Sequence, residues 1–94
     1  MEDIKKAIDK FYIGESTENV KAEITFTEKD TDVLVIEHTR VSEELKGQGI
    51  GLKLVRKVAE YARQENKKIK PVCTFAKKVM SENDEYKDVL IEAD

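Results

Sequence analysis

The chain has 94 residues, 39% hydrophobic and 39% charged, with 17 Lys and Arg against 20 Asp and Glu for a formal net charge of -3. That length predicts one domain over residues 1–94 with a small core, and the charge balance removes any general drive toward nucleic acid. With no apolar run of bilayer length and no signal-type segment at residues 1–6, a cytoplasmic protein without membrane attachment is expected, and a single cysteine and a single histidine argue against an internal disulfide or a structural zinc site.

Phe11-Tyr12-Ile13 before Gly14 reads as a short strand, and residues 15–19 as the polar turn after it. Residues 4–8 fit either a strand or a frayed helix. Ala22, Ile24 and Phe26 alternate with Glu23, Thr25 and Thr27, which predicts a strand with one buried face. Residues 28–32 turn the chain. Residues 33–36 are apolar at consecutive positions, as in a central strand covered on both faces, and form a hairpin with the strand before them.

The run Lys46-Gly47-Gln48-Gly49-Ile50-Gly51 follows. Beyond it, Ile50, Leu54, Val58 and Ala62, widened by Val55 and Ala59, make the apolar stripe of an amphipathic helix that ends near Asn66. Residues 69–73 read as the next strand, with Pro71 pointing to an edge or a bulge. A strand, helix, strand order implies a parallel or splayed pair. Residues 75–82 read as a second, short helix, and residues 86–91 have no assigned form.

Glycines at alternate positions need a physical reason, because each costs roughly 0.5–1 kcal/mol relative to alanine inside a regular element. Between a strand and a helix they point to a phosphate-binding turn, where unpartnered amides meet the positive end of the helix dipole. A flexible connection is the plainer alternative. The run is not a nucleoside triphosphate loop, since Gly51 is followed by Leu52-Lys53 rather than Lys and Ser or Thr. Nor is it a dinucleotide fingerprint, whose third glycine would fall at Leu52.

Residues 41–51, Val-Ser-Glu-Glu-Leu-Lys-Gly-Gln-Gly-Ile-Gly, resemble the acetyl-CoA signature of the GNAT N-acetyltransferase superfamily: Arg or Gln, two residues, Gly, one residue, Gly or Ala. Gly49 and Gly51 match, while Lys46 stands where Arg or Gln is usual, which keeps the charge but not the planar fork. Together with Glu37-His38-Thr39, Pro71-Val72-Cys73-Thr74-Phe75-Ala76 and Glu85-Tyr86-Lys87-Asp88, the run is similar to the minimal single-domain subgroup typified by bacterial YjdJ-like proteins. The resemblance implies an α+β fold, a small twisted and mostly antiparallel sheet with a CoA-binding helix and a short C-terminal helix. It also implies that amides of Lys46, Gly47, Gln48, Gly49, Ile50 and Gly51 hold the CoA pyrophosphate. Main chain at Thr39, Arg40 and Val41 then pairs with the pantetheine arm, and Lys46 and Lys53 screen phosphate charge, although a solvated lysine is the commoner fate of Lys53.

Acetyl transfer to an amine needs a proton acceptor and groups that stabilise the thioester oxyanion. Cys73, between a strand and a helix N-terminus, is placed to have a lowered thiol pKa and to accept an acetyl group; a small buried hydrophobe is its alternative reading. His38 alternates with Leu34 and Ile36, so it reads as a core histidine or as a base near the thioester. Glu37, on the opposite face, is the second base candidate, and Tyr86 reads as packing against a helix. Two functions follow: an acetyl-CoA-dependent N-acetyltransferase with an unidentified amine acceptor, acting directly or through Cys73, or a non-catalytic CoA-binding module. The length leaves the acceptor site open, shallow, or completed by a protein partner.

Overall fold

In the computed structural model, which describes residues 3–91, the alternation of Ala22, Ile24 and Phe26 appears as one fully buried face of a long strand, β3 (Asn19–Lys29). Around it lie β1 (Lys5–Lys6), β2 (Lys10–Ser16), β4 (Val33–Val41) and β5 (Lys68–Pro71), in the spatial order β1-β2-β3-β4-β5. β1 through β4 pair antiparallel, and β5 runs parallel to β4. The connection to β5 is helix α1 (Ile50–Gln64), and α2 (Thr74–Glu82) follows β5. The result is the expected small α+β fold. Residues 4–8, ambiguous in sequence, contain the two-residue β1.

α1 packs on β2, β3, β4 and β5, and its predicted stripe, Ile50, Leu54, Val55, Val58, Ala59 and Ala62, is buried throughout. Phe11, Phe26 and Tyr61 meet at ring-centroid distances of 5.8 to 6.0 Å, closing one end of the core with edge-to-face and tilted contacts. The helix ends on Asn66, whose φ of 58° is left-handed. Its amide bonds Arg63 O at 3.3 Å, and the next amide, Lys67, bonds Ala62 O at 2.8 Å. This is a Schellman cap built on asparagine instead of glycine.

Three expectations need correction. β2 does not stop at Gly14 but continues to Ser16. Gly14 is a bulge position with φ 151°, and a Cβ there would stand 2.4 Å from Asn19 O, so glycine permits close approach of two strands. β4 is central in pairing but buried on one face only: Leu34 and Ile36 are fully buried, while Val33 and Val35 are partly exposed. The helix α1 covers one side of the sheet, so consecutive apolar residues need not have two buried faces.

The third correction concerns His38. The β3–β4 ladder shifts between Thr25 and Phe26, which pair with His38 and Ile36, leaving Glu37 as an extra residue. One inserted residue reverses the facing of everything after it. Thr39 and Val41 therefore lie opposite the core residues Ile24 and Ala22, and His38 is exposed rather than in the core.

The β4–β5 ladder ends at the pair Ile36 and Pro71, consistent with proline at an edge position. Ile36 O then accepts both the Val72 and Cys73 amides, at 2.9 and 3.1 Å. β4 continues through residues 37–41 without a partner on that side among the described residues, so the two strands part. At the far edge, residues 86–91 resolve into a packed segment. Tyr86 and Val89 are buried, Leu90 bridges Ile69 in parallel, and Arg63 Nε bonds Asp88 Oδ2 at 2.8 Å. Among the described residues no helix is long and apolar enough to cross a membrane.

Candidate functional site

The glycine run begins after a tight 3-10 turn, Glu43–Leu45, in which the Leu45 and Lys46 amides bond Ser42 O and Glu43 O at 3.0 and 3.2 Å. Gly47 and Gly49 then take left-handed conformations, φ 83° and 73°, and a Cβ on either would meet nothing within 4 Å. Glycine is required there by backbone angle, not by crowding. Gly49 caps α1 without a side-chain hydrogen bond, and the helix ladder opens with the Lys53 amide on Gly49 O at 3.1 Å. Among the described residues the amides of positions 47–52 have no main-chain acceptor. They converge at the positive end of a fifteen-residue helix, an arrangement suited to an anion.

Gly51 has a different cause. It is helical, and a Cβ on it would come within 2.8 Å of Phe75 Cζ. The third glycine lets the first turns of α1 and α2 approach each other through the Phe75 ring.

A groove of about 320 Å3 runs from this loop along β4, with Thr39 and Val41 on one wall, Leu45, Lys46, Gly47, Gly49, Ile50 and Gly51 on the other, and Leu52 and Phe75 beside them. Cys73 stands next to Thr39, where β4 and β5 part. It is the N-cap residue of α2, partly buried, with Sγ 3.4 Å from Thr39 Oγ1. Burial pushes the thiol pKa up, but the Thr39 hydroxyl and the amides of Ala76 and Phe75 outweigh it and hold the thiol below its ordinary value. The amides of Phe75 and Ala76 belong to the first turn of α2, so part of this lowering acts at the helix terminus.

The structure brings Thr39, Val41, Lys46, Gly47, Gly49, Ile50 and Gly51 onto one groove. Other expected residues lie elsewhere. The Arg40 side chain is on the outer face of the sheet, 3.2 Å from Glu23. Gln48 Nε2 turns back to Glu44 O at 3.4 Å, and Lys53 is exposed on α1 outside the lining. His38 faces outward opposite Thr25, and Glu37 accepts from Thr27 Oγ1 at 3.4 Å. Lys46 Nζ is held by Glu43 Oε2 at 2.7 Å. Tyr86 is buried, as its packing reading expects. The sequence reading missed Leu45, Leu52 and Phe75. A signal for Phe75 was present: a glycine inside a helical stripe implies that something approaches closely, and the aromatic residue of the next helix is that neighbour.

With this geometry in view, comparison with known proteins is decisive. The profile of the GCN5-related N-acetyl-transferases matches residues 10–89. The chain belongs to the GCN5-related N-acetyltransferase family. A solution NMR structure of a GCN5-like candidate N-acetyltransferase from Staphylococcus aureus is 44% identical, with TM-score 0.82 over 98% of this chain and 90% of that one. The fold is shared at 20% identity with glucosamine-6-phosphate N-acetyltransferase from Arabidopsis thaliana, TM-score 0.55 over 92% of this chain and 63% of that one. A GNAT-family acetyltransferase from S. aureus Mu50, also 20% identical, gives 0.54 over 64% and 39%. No curated protein matches the chain significantly in sequence. Family membership implies use of an acyl-CoA in general.

Proposed function

We propose that this protein, as a minimal single domain of the YjdJ-like kind spanning residues 1–94, binds acetyl-CoA and transfers its acetyl group to an amine. The observation that carries this reading is that a left-handed glycine loop at the start of α1 lines one groove with Thr39, whose hydroxyl lies 3.4 Å from Cys73 Sγ just outside that lining. Amides of residues 47–51 hold the diphosphate, the expected Lys46 amide being already taken by Glu43 O at 3.2 Å, and the edge of β4 at residues 39–41 pairs with the pantetheine arm. When bound, acetyl-CoA supplies an activated acetyl thioester. Cys73 Sγ is suited to form a bond to the acetyl carbon as the CoA thiolate leaves; an amine then takes the acetyl group, releasing the Cys73 thiolate and a proton. Direct transfer to the amine is the simpler route. A base role for His38 requires the amine to arrive from the outer face of β4, where its side chain lies, and a protein partner is one way to complete that side.

The rival reading, a CoA-binding module without efficient chemistry, draws on one observation: among the described residues no carboxylate or imidazole lines the groove. Calorimetric titration with CoA and acetyl-CoA tests the shared half, and saturable heat is expected for both. A thiol-release assay across amines and peptides tests the other half. Release above the hydrolysis blank supports the transferase, and none with any acceptor supports the module. Acetyl on Cys73 in intact-mass spectra during turnover, with activity lost in Cys73→Ala, selects the route through the thiol.

A further inference from the structure

A second concavity, about 820 Å3, shares no lining residue with the first. It lies between β5, α2, the C-terminal segment and the β3–β4 turn, within the size range of small-molecule sites. Val33, Val72, Met80, Leu90 and Ile91 contribute apolar surface to it, and Val72 is 58% exposed, so part of that surface meets solvent.

Its charges are distributed unlike those elsewhere on the molecule. Most lysines are held by a carboxylate or carbonyl, as in Lys10 with Glu23, Lys46 with Glu43, Lys67 with Glu28 and Lys68 with Asp88 O. Among the described residues Lys29, Lys53, Lys70, Lys77 and Lys78 have no such partner, and three of these, Lys29, Lys70 and Lys77, line this one concavity. Lys87 is offset there by Asp84 at 3.6 Å, which leaves Asp30 as the remaining carboxylate among the described lining residues. A chain of net charge -3 thus places, among the described residues, three lysines without a salt-bridge partner around an apolar floor, against the one remaining carboxylate Asp30. Amphiphilic side chains of this kind offer methylene stems to an apolar body and ammonium groups to its head.

We propose that this concavity is a binding site for a small amphiphilic anion, an apolar body seated against Val72, Leu90 and Ile91 with a carboxylate or phosphate head among Lys29, Lys70 and Lys77. The site is independent of the acyl-donor groove. Amide and methyl NMR spectra of the whole chain, titrated with octanoate, with octyltrimethylammonium and with inorganic phosphate, test it. Octanoate should shift Val72, Leu90 and Ile91 saturably while leaving Gly47 and Gly49 in place. The cationic amphiphile and the bare phosphate should bind at least about tenfold more weakly, equivalent to 1.4 kcal/mol. K29Q/K70Q/K77Q, three exposed changes that leave the melting temperature near that of the parent, should weaken octanoate by about tenfold or more, as three screened charge contacts allow. Equal binding of the ammonium, an unweakened triple variant, or shifts centred on Gly47 and Gly49 would overturn the proposal. Sedimentation with phosphatidylglycerol vesicles in the absence of any octanoate response would also overturn it, assigning the lysines to a lipid surface.

Discussion

At the scale of single residues the thiol of Cys73 is the most informative group. Its lowered pKa is the balance of burial, which raises it, against the nearby Thr39 hydroxyl and the first amides of α2, which favour the thiolate. Thr39→Val keeps the shape and removes the hydroxyl, so the thiolate loses one stabilising contact and the pKa should rise. Alkylation by iodoacetamide, followed across pH, should show its midpoint at higher pH in Thr39→Val than in wild type. An unchanged midpoint would mean that the α2 amides alone set it. Thr39 reaches Cys73 only because Glu37 is an extra residue in the ladder. Strict alternation along β4 would instead have turned His38 inward. A bulge leaves no periodic mark, so the identity of the residues was legible in sequence while their facing was not.

Glu23 makes a second case. Its side chain is only 12% exposed, between Lys10 Nζ at 2.8 Å and Arg40 at 3.2 Å. Burial raises its pKa, yet the bond and charge of Lys10, then the charge of Arg40, lower it overall. Because the folded value lies below the unfolded one, the unfolded chain takes up its proton first on acidification. The stabilisation is complete above about pH 4.5, the ordinary value, and is lost as pH falls through the lower folded value. Glu23→Gln leaves Lys10 without its charged partner and should cost about 1 kcal/mol near neutrality. In thermal melts from pH 6 to pH 3, the gap between wild type and Glu23→Gln should narrow; a constant gap would remove the charge argument.

At the scale of elements the amphipathic helix, the alternating strand and the glycine loop were all legible, because each is written in local spacing. Ile50, Leu54, Val58 and Ala62 are all buried. The glycines of the loop were not distinguishable from one another in sequence, and the structure separates them by cause. Gly49 must be left-handed, whereas Gly51 must be small against Phe75. Gly49→Ala should lose about 1–2 kcal/mol through backbone strain, whatever its neighbours. Gly51→Ala should depend on its neighbour: its cost should fall when Phe75 is also changed to Leu, since the crowding atom is the far end of that ring. A double-mutant cycle by urea denaturation measures this, and additive costs would count against the Gly51–Phe75 contact as the reason for glycine.

At the scale of the whole molecule, the parting of β4 and β5 depends on long-range pairing that no local pattern in the sequence specifies. The ladder holds as far as Ile36 and Pro71, both strands then diverge, and the open edge of β4 lies next to the free amides of α1. This geometry makes a ligand in the groove separable from a ligand anywhere else. At CoA concentrations of about one hundred times Kd, linkage alone adds roughly 2.7 kcal/mol to stability. For a domain of this size that is a rise in melting temperature of roughly 10 °C or more. Any ligand of the folded state does the same, and core amides that exchange only through global unfolding should slow by about a hundredfold whichever site is filled. The amides of residues 47–52 differ, because among the described residues they lack a main-chain acceptor and should exchange quickly until a diphosphate accepts from them. Hydrogen exchange with and without CoA should therefore show new protection at residues 47–52 and along residues 37–41, together with uniform slowing in β3 and α1. Uniform slowing with a loop that stays fast would place CoA outside this groove and leave the glycine run without a diphosphate to hold.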